Sequence, residues 1–227
     1  MTWIEALILG LIQGLTEFLP VSSSGHLEIA KSLFGVDPDA SFYFTVAVHG
    51  ATVLSTIVVF WKEIVTLFQG IFKFKMNEET NYVMKLIVSM IPVGIAGLLL
   101  KEPIENLFSG NLVFVGFMLM ITASLLAFAH FVKKRERNIT YLDALIIGIA
   151  QALAVIPGIS RSGATIATGL MTGNRKDEIA RFSFLMVLVP VIGANLLEMA
   201  TGELSTYGTG IGIIIVGFMA AFISGYL

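Results

Sequence analysis

The stretch Ser160-Arg161-Ser162-Gly163-Ala164-Thr165, which follows Pro157-Gly158-Ile159, sets one guanidinium and three hydroxyl groups in a largely apolar chain. An arginine inside a membrane faces an anion, water or backbone carbonyl groups. Pro-Gly ends the preceding segment, so Ser160 onward is predicted to form the first turn of a new helix. Backbone N–H groups at a helix start, together with hydroxyls and a guanidinium, suit a phosphate. A surface loop with a solvated arginine is the alternative.

The composition around this stretch is that of an integral membrane protein. The chain has 227 residues, of which 56% are hydrophobic and 13% charged, and its mean hydropathy is +0.88. A net charge of −2 gives no sign of a nucleic-acid partner. The chain has no cysteine, which excludes disulfides and thiol chemistry. Its first residues lack the basic region of a signal peptide, so we expect this segment to stay attached.

Apolar segments of spanning length predict transmembrane helices. Three of them, 42–61, 111–132 and 208–227, contain no Asp, Glu, Lys or Arg, and 83–100 and 182–197 are nearly as apolar. Segments 3–20 and 141–157 differ, because Gln13, Glu17 and Gln151 interrupt them and each ends in a proline before a Gly/Ser-rich turn. These features predict broken or re-entrant helices that line a wet cavity.

The two interrupted segments resemble each other. An offset of 138 positions aligns Glu5 with Asp143 and Gln13 with Gln151, and it also aligns the pairs Gly10/Gly148, Ser22/Ser160, Ser24/Ser162 and Gly25/Gly163. This predicts an internal duplication within a single membrane domain, with repeat one at 1–138 and repeat two at 139–227. Repeat two is one span short, since a full copy would extend to about residue 276. We therefore expect that the last helix is missing by truncation, or that a partner helix replaces it.

Loop charges predict the orientation of the repeats. Segments 62–85 and 133–137 are rich in lysine and arginine and should be cytoplasmic, whereas 37–39, 101–105 and Glu203 should face out. If the first re-entrant pair enters from the outer side, three spans precede the second pair, which then enters from the inner side. The predicted fold is therefore an all-α polytopic membrane protein with inverted-topology repeats, each holding a re-entrant helix pair and transmembrane helices.

The first re-entrant turn concentrates reactive side chains. Gln13 and Glu17 share one helix face, and the residues after Pro20 add three hydroxyls and an imidazole, from Ser22, Ser23, Ser24 and His26. A carboxylate, a hydroxyl and an imidazole suit nucleophilic or acid–base chemistry. Inverted repeats would bring this turn to face Arg161. The plain alternatives are that Glu17 hydrogen-bonds to backbone groups at the break in the helix, and that Ser22 and Ser24 are helix caps. His49, inside a span, serves equally well in a cross-helix hydrogen bond or in a cavity wall.

Two motifs carry a resemblance to a known family. Gln13-x-x-x-Glu17 followed by Pro20-Val-Ser-Ser-Ser-Gly-His26, and Pro157-Gly-Ile-Ser-Arg-Ser-Gly-Ala-Thr165, resemble the signature motifs of the bacitracin-resistance family of undecaprenyl-diphosphate phosphatases. The resemblance covers essentially the whole chain, and family members usually continue beyond Leu227. It implies a hydrolase that removes the terminal phosphate of undecaprenyl diphosphate at the outer face of the plasma membrane. This reaction recycles the lipid carrier for peptidoglycan synthesis.

The resemblance also implies the site. Catalytic positions fall on Glu17, Ser23, His26 and Arg161, and phosphate ligands on Ser160, Ser162 and Thr165. We also expect four further residues of the two motifs to bind substrate: Gln13, Ser22, Ser24 and Gly163. A divalent cation, Mg²⁺ or Ca²⁺, is expected on Glu17. The family's motif allows Glu or Gln at its first position, and Gln13 leaves this chain without a second carboxylate ligand. The expected partners are a polyprenyl diphosphate and membrane lipids, with no nucleic acid. Formation of a homodimer is a further possibility.

Residue chemistry leaves the mechanism and two other functions open. Arg161 and the helix start at Ser162 would hold phosphate, while Ser23 or a water attacks and His26 carries a proton. A second family of membrane lipid phosphatases shares Ser24-Gly25-His26, but its Arg-Pro motif is absent here. The alternative from another class is a polyprenyl-phosphate transporter or flippase that uses the same anion site, since inverted repeats with broken helices are common in carriers.

Overall fold

The computed structural model describes residues 1–37, 41–99, 111–132, 136–201 and 210–227, without the side chains of Leu98 and 194–201. These residues form ten helices, which confirms the prediction of an all-α polytopic membrane protein. In chain order they are α1 (Trp3–Glu17), α2 (Ser23–Phe34), α3 (Phe42–Val59), α4 (Trp61–Ile71), α5 (Glu78–Leu99), α6 (Leu112–Phe131), α7 (Tyr141–Leu153), α8 (Arg161–Met171), α9 (Lys176–Thr201) and α10 (Ile211–Tyr226).

Three helices in the described part of the chain are long and apolar enough to cross a bilayer: α3, α5 and α6. They coincide with the predicted spans 42–61, 83–100 and 111–132. Helix α9 covers the predicted span 182–197, and α10 covers most of 208–227 at 16 residues. Much of the loop charge used to predict orientation, at 101–105, 133–135, Asp39 and Glu203, lies outside the described residues.

The interpretation of 62–85 as a loop was wrong. Trp61–Ile71 forms α4, and α5 begins at Glu78. Helix α4 exists because Ile64 and Leu67 lie on one of its faces and pack against a buried apolar cluster. Lys62 in the helix, together with Lys73 and Lys75 after it, conceals this pattern when the segment is judged by charge alone.

Both interrupted segments fold as helix–turn–helix hairpins. Helix α1 ends at Glu17 before α2 begins at Ser23, and α7 ends at Leu153 before α8 begins at Arg161. Thr2 and Glu5 form a capping box at the start of α1, and Thr140 and Asp143 form the same box at the start of α7. The two hairpins therefore begin with the same local structure.

The described residues form a hydrophobic core of two parts, and each part draws on both halves of the chain. One part combines α1, α2 and α3 with Ala221 of α10. The other combines α7 and α9 with Leu86 of α5. Hairpin helices thus pack on a helix from the opposite half, α1 on α10 and α7 on α5. The duplication and its inverted orientation stay predictions, which these parallels support.

Glycines make two close helix contacts possible. A Cβ on Gly10 of α1 would overlap the carbonyl oxygen of Gly217 in α10, and a Cβ on Gly148 of α7 would overlap the carbonyl oxygen of Ser89 in α5. Small residues at membrane-helix interfaces allow this approach of the backbones. The approach fixes the angle at which each hairpin enters the molecule.

Candidate active site

The turns of the two hairpins meet. The Ser162 hydroxyl donates a hydrogen bond to the Leu19 carbonyl oxygen at 3.4 Å. A Cβ on Gly163 would lie 3.0 Å from the carbonyl oxygen of Pro20, and a Cβ on Gly25 would lie 3.4 Å from Cα of Gly158. Backbone of the first turn therefore lies against the start of α8. Two segments about 138 residues apart in sequence become one surface.

Glu17 is the centre of this contact. Its Oε2 accepts hydrogen bonds from Oγ of Ser23 at 2.5 Å and from Nε2 of Gln13 at 2.8 Å. Its Oε1 pairs with Nη2 of Arg161 at 3.4 Å. The side chains of Arg161 and Glu17 are 29% and 19% exposed, so a ligand can reach the ion pair. A carboxylate, a hydroxyl and a guanidinium are thus in contact in a partly buried setting.

Two helix starts, each capped by a serine, lie at the contact between the turns. Ser22 caps α2 by accepting from the Gly25 N–H at 3.3 Å, and Ser160 caps α8 by accepting from the Gly163 N–H at 3.0 Å. Among the described residues, no acceptor is bound to the first two N–H groups of either helix, those of Ser23, Ser24, Arg161 and Ser162. Free N–H groups at a helix start favour an anion.

Ser22 holds the first turn in an uncommon backbone conformation. Its φ of 68° lies in the left-handed region, which costs a serine free energy that the surrounding contacts offset. This conformation starts α2 directly behind the turn. Ser23 becomes the first helical residue, and its hydroxyl is directed to Glu17.

His26 and Ser24 are held within the first hairpin. Nδ1 of His26 donates to the Ser22 carbonyl oxygen at 2.9 Å, so Nε2 is the ring atom left to exchange a proton with a ligand. The hydroxyls of Ser24 and Ser22 lie 3.4 Å apart. The predicted alternative that Ser22 is a cap is confirmed.

The predicted phosphate ligands of α8 divide into two groups. Ser162 and Arg161 are partly exposed at the contact between the turns. Ser160 and Thr165 are buried, and Oγ1 of Thr165 donates to the Arg161 carbonyl oxygen at 2.8 Å inside the helix. Ser160 and Thr165 therefore shape the first turn of α8, and their predicted contact with phosphate stays a prediction.

Two threonines that sequence reasoning did not select support the site from neighbouring spans. Oγ1 of Thr52 in α3 accepts from Nε2 of Gln13 at 3.5 Å. Oγ1 of Thr122 in α6 accepts from the Ser160 backbone N–H at 3.0 Å. Both are 2% exposed. A hydroxyl buried in an otherwise apolar span was the available signal, because such groups bond across helices. His49, by contrast, donates from Nδ1 to the Thr45 carbonyl oxygen of its own helix at 2.8 Å.

Oxygen atoms that suit a hard cation are present next to Glu17. Oε1 of Gln13 is buried and has no hydrogen-bond partner among the described residues. Carboxylate, amide and hydroxyl oxygens are the ligands that Mg²⁺ and Ca²⁺ prefer. No group of three or more His, Cys, Asp or Glu in the described residues forms a metal cluster. This donor set fits a cation that shares its coordination with substrate phosphates, as Mg²⁺ commonly does.

Comparison with known proteins decides the family. Residues 6–227 match the family described as Bacitracin resistance protein BacA. This chain belongs to that family. A protein of Bacteroides fragilis named "Undecaprenyl-diphosphatase" is 54% identical over 100% of this chain and 87% of its own length. Proteins of the same name from Parabacteroides distasonis and Christiangramia forsetii are 54% and 52% identical, over 99% and 97% of this chain and 86% and 84% of their own lengths.

Proposed function

We propose that this member of the BacA family hydrolyses undecaprenyl diphosphate to undecaprenyl phosphate and inorganic phosphate. The observation that carries the proposal is the position of Glu17, which contacts the Ser23 hydroxyl and the Arg161 guanidinium where the two hairpin turns meet. Phosphoryl transfer needs groups that hold the phosphate and a nucleophile beside them. The relatives' name supplies the substrate, a polyprenyl diphosphate.

In the proposed mechanism, Arg161 and the free N–H groups of Arg161 and Ser162 bind the terminal phosphate. They stabilise the charge that develops on its oxygens in the transition state. The N–H groups of Ser23 and Ser24 add positive potential from the opposite turn. The substrate is then held between two helix starts, with its phosphorus atom next to the Ser23 hydroxyl.

Ser23 is the proposed nucleophile, because Glu17 accepts a hydrogen bond from its hydroxyl and in this mechanism takes its proton. A bond forms between Ser23 Oγ and the terminal phosphorus as the bond to the bridging oxygen breaks. Undecaprenyl phosphate leaves, and the bridging oxygen receives a proton from Nε2 of His26, the ring nitrogen that is not bonded to the Ser22 carbonyl oxygen. A water then hydrolyses the phosphoserine. Direct attack by water on the same phosphorus is the competing route.

A divalent cation, Mg²⁺ or Ca²⁺, is part of the proposal. Glu17 with Oε1 of Gln13 would hold it. When bound, it would neutralise charge on the diphosphate. The chain's own groups still provide the hydroxyl, the guanidinium and the N–H donors that orient the substrate.

The proposed location is the plasma membrane, with the site open to the outer side. The helices long enough to span a bilayer support a membrane location, and a lipid substrate requires one. Opening to the outer side rests on the predicted inverted repeats and on the role that the family resemblance implies. A homodimer stays a prediction.

Phosphate release by the purified chain tests the proposal. Inorganic phosphate should appear from undecaprenyl diphosphate in detergent with added Mg²⁺, and Glu17→Gln should abolish it. Glu136→Gln removes an exposed carboxylate that belongs to neither hairpin and should leave the rate unchanged. Transport of a polyprenyl phosphate across vesicles without phosphate release would overturn the hydrolase and favour the carrier.

A further inference from the structure

Helix α4 presents an apolar face that the described residues of the protein leave uncovered. With 11 residues, α4 is too short to span a bilayer. Ile64 and Leu67 pack inward against the core. The adjoining stripe, which we call the α4 outer face, consists of Trp61, Val65, Phe68 and Phe72 at helical spacing. Trp61, Phe68 and Phe72 are 59%, 58% and 67% exposed.

A groove of about 500 Å³ runs along this outer face. Trp61, Ile64, Val65, Phe68 and Phe72 give it an apolar lining, and Gln69 and Lys73 add polar groups. Its lining therefore changes from aromatic carbon at the start of α4 to a cationic side chain at the end. A ligand that matches it has an apolar body and an anionic end.

The turn after α4 extends the same pattern in a fixed conformation. Phe74 and Met76 are 88% and 80% exposed, and they alternate with the exposed lysines Lys73 and Lys75. Phe74 has a φ of 49°, in the left-handed region. That conformation is uncommon for a bulky residue.

Hydrogen bonds hold this turn in place. The Asn77 amide donates to the Gly70 carbonyl oxygen at 2.9 Å, and Oγ1 of Thr80 donates to the Lys75 carbonyl oxygen at 3.0 Å. Thus the display of lysine and apolar side chains is part of the folded structure. These side chains are therefore arranged before any ligand binds.

We propose that the α4 outer face and the turn 72–77 bind an anionic glycerophospholipid of the surrounding bilayer. Its acyl chain would lie along Trp61, Phe68 and Phe72, with its phosphate on Lys73 and Lys75. Aromatic side chains favour the level of the headgroups, and lysines near that level attract anionic lipids. Segment 61–77 carries three lysines and one glutamate, which matches a negatively charged headgroup.

Charge argues against a second copy of this chain as the occupant. A twofold contact through this face would place the lysines of one copy near those of the other. A lipid instead places its phosphate next to the lysines and its acyl chain in the apolar groove. This face shares no residue with the candidate active site, so the proposal does not depend on the proposed hydrolysis.

Tryptophan fluorescence tests the proposal, because the chain has two tryptophans. Trp3→Phe leaves Trp61 as the only emitter. The variant is placed in phosphatidylcholine vesicles with the same fraction of either brominated phosphatidylglycerol or brominated phosphatidylcholine. We expect stronger quenching by the brominated anionic lipid, with an enrichment of up to about thirtyfold, since two lysines near the headgroups contribute about 1 kcal/mol each.

Charge variants complete the test. Lys73→Gln with Lys75→Gln should remove the difference between the two lipids, while Lys176→Gln, an exposed lysine at the start of α9, should leave it intact. Phosphate release should be unchanged in both. Equal quenching by the two lipids, a preference that survives the double substitution, or no quenching by either lipid would each overturn the proposal.

Discussion

Arg161 lies 3.4 Å from the carboxylate of Glu17, 144 residues away in sequence, and this contact joins the two hairpin turns. The guanidinium offers several N–H donors in a planar fork, which an ammonium cannot reproduce. We therefore expect Arg161→Lys to lower kcat/KM for phosphate release by about 10²- to 10³-fold, the cost of losing one well-placed donor to a developing anion.

Arg175→Lys is the matched control for Arg161→Lys. Arg175 pairs with Asp177 at 2.8 Å, with both side chains well exposed. Exposed ion pairs of this kind contribute little, so its kcat/KM should equal that of the parent. Circular dichroism in detergent checks that both variants are folded. Near-normal turnover of folded Arg161→Lys would contradict the assigned role.

Ser23 and Ser24 are adjacent hydroxyls with different partners. Ser23 donates to Glu17 at 2.5 Å, whereas Ser24 lies 3.4 Å from the Ser22 hydroxyl. Removing the nucleophile by Ser23→Ala should lower kcat by about 10³-fold or more, and Ser24→Ala should change it by less than about tenfold.

Mass spectrometry of acid-quenched enzyme decides whether the reaction is covalent. A phosphate on Ser23 during turnover is the expected result. If Ser23→Ala keeps a substantial rate and no phosphopeptide forms, a water attacks directly.

Sequence predicted the hairpins because their signals are local. Pro20 and Pro157 stop the first helices, while Ser22 and Ser160 cap the helices that follow, and each of these features acts over a few residues. The meeting of Glu17 with Arg161 was predictable only through the duplication, which suggested that equivalent turns lie together. The reactive groups of the site could therefore be predicted from the sequence.

The residues that support the site from neighbouring spans could not be predicted from sequence spacing. Thr52 reaches Gln13 across 39 positions, and Thr122 reaches the Ser160 N–H across 38. These pairs depend on how α3 and α6 pack against the hairpins, which no local pattern encodes. Helix α4 was missed for another reason. The four lysines of the segment 62–85, only one of which lies in α4, led to its interpretation as a loop, while the apolar stripe of α4 is only a few residues long.

Gln13→Glu should change the response to Mg²⁺. A carboxylate next to Glu17 adds a second anionic ligand to the proposed cation site. We expect the Mg²⁺ concentration for half-maximal phosphate release to fall by about tenfold, equivalent to about 1.4 kcal/mol. EDTA should abolish the activity of both proteins.

The mirror substitution, Gln151→Glu, controls for the general effect of a buried carboxylate. Gln151 is 1% exposed on α7, at the position that matches Gln13 in the predicted duplication. It should leave the Mg²⁺ response of the folded fraction unchanged, although it should lower stability. A thermal-shift series with Mg²⁺ measures binding without turnover. An identical Mg²⁺ dependence for Gln13→Glu and the parent would contradict the cation site.

Alanine substitution at three helical glycines should change the free energy of unfolding in opposite directions. A methyl group on Gly10 or Gly148 would overlap a backbone carbonyl of the neighbouring helix, while a methyl group on Gly50 of α3 meets nothing within 4 Å. Gly10→Ala and Gly148→Ala should each lower the free energy of unfolding by about 1–3 kcal/mol through overpacking. Gly50→Ala should raise it by about 0.5–1 kcal/mol, because alanine loses less backbone entropy in a helix. Thermal unfolding in one detergent compares all three variants with the parent. If Gly10→Ala is as stable as Gly50→Ala, α1 and α10 do not pack this closely. The same result for Gly148→Ala would show that α7 and α5 do not.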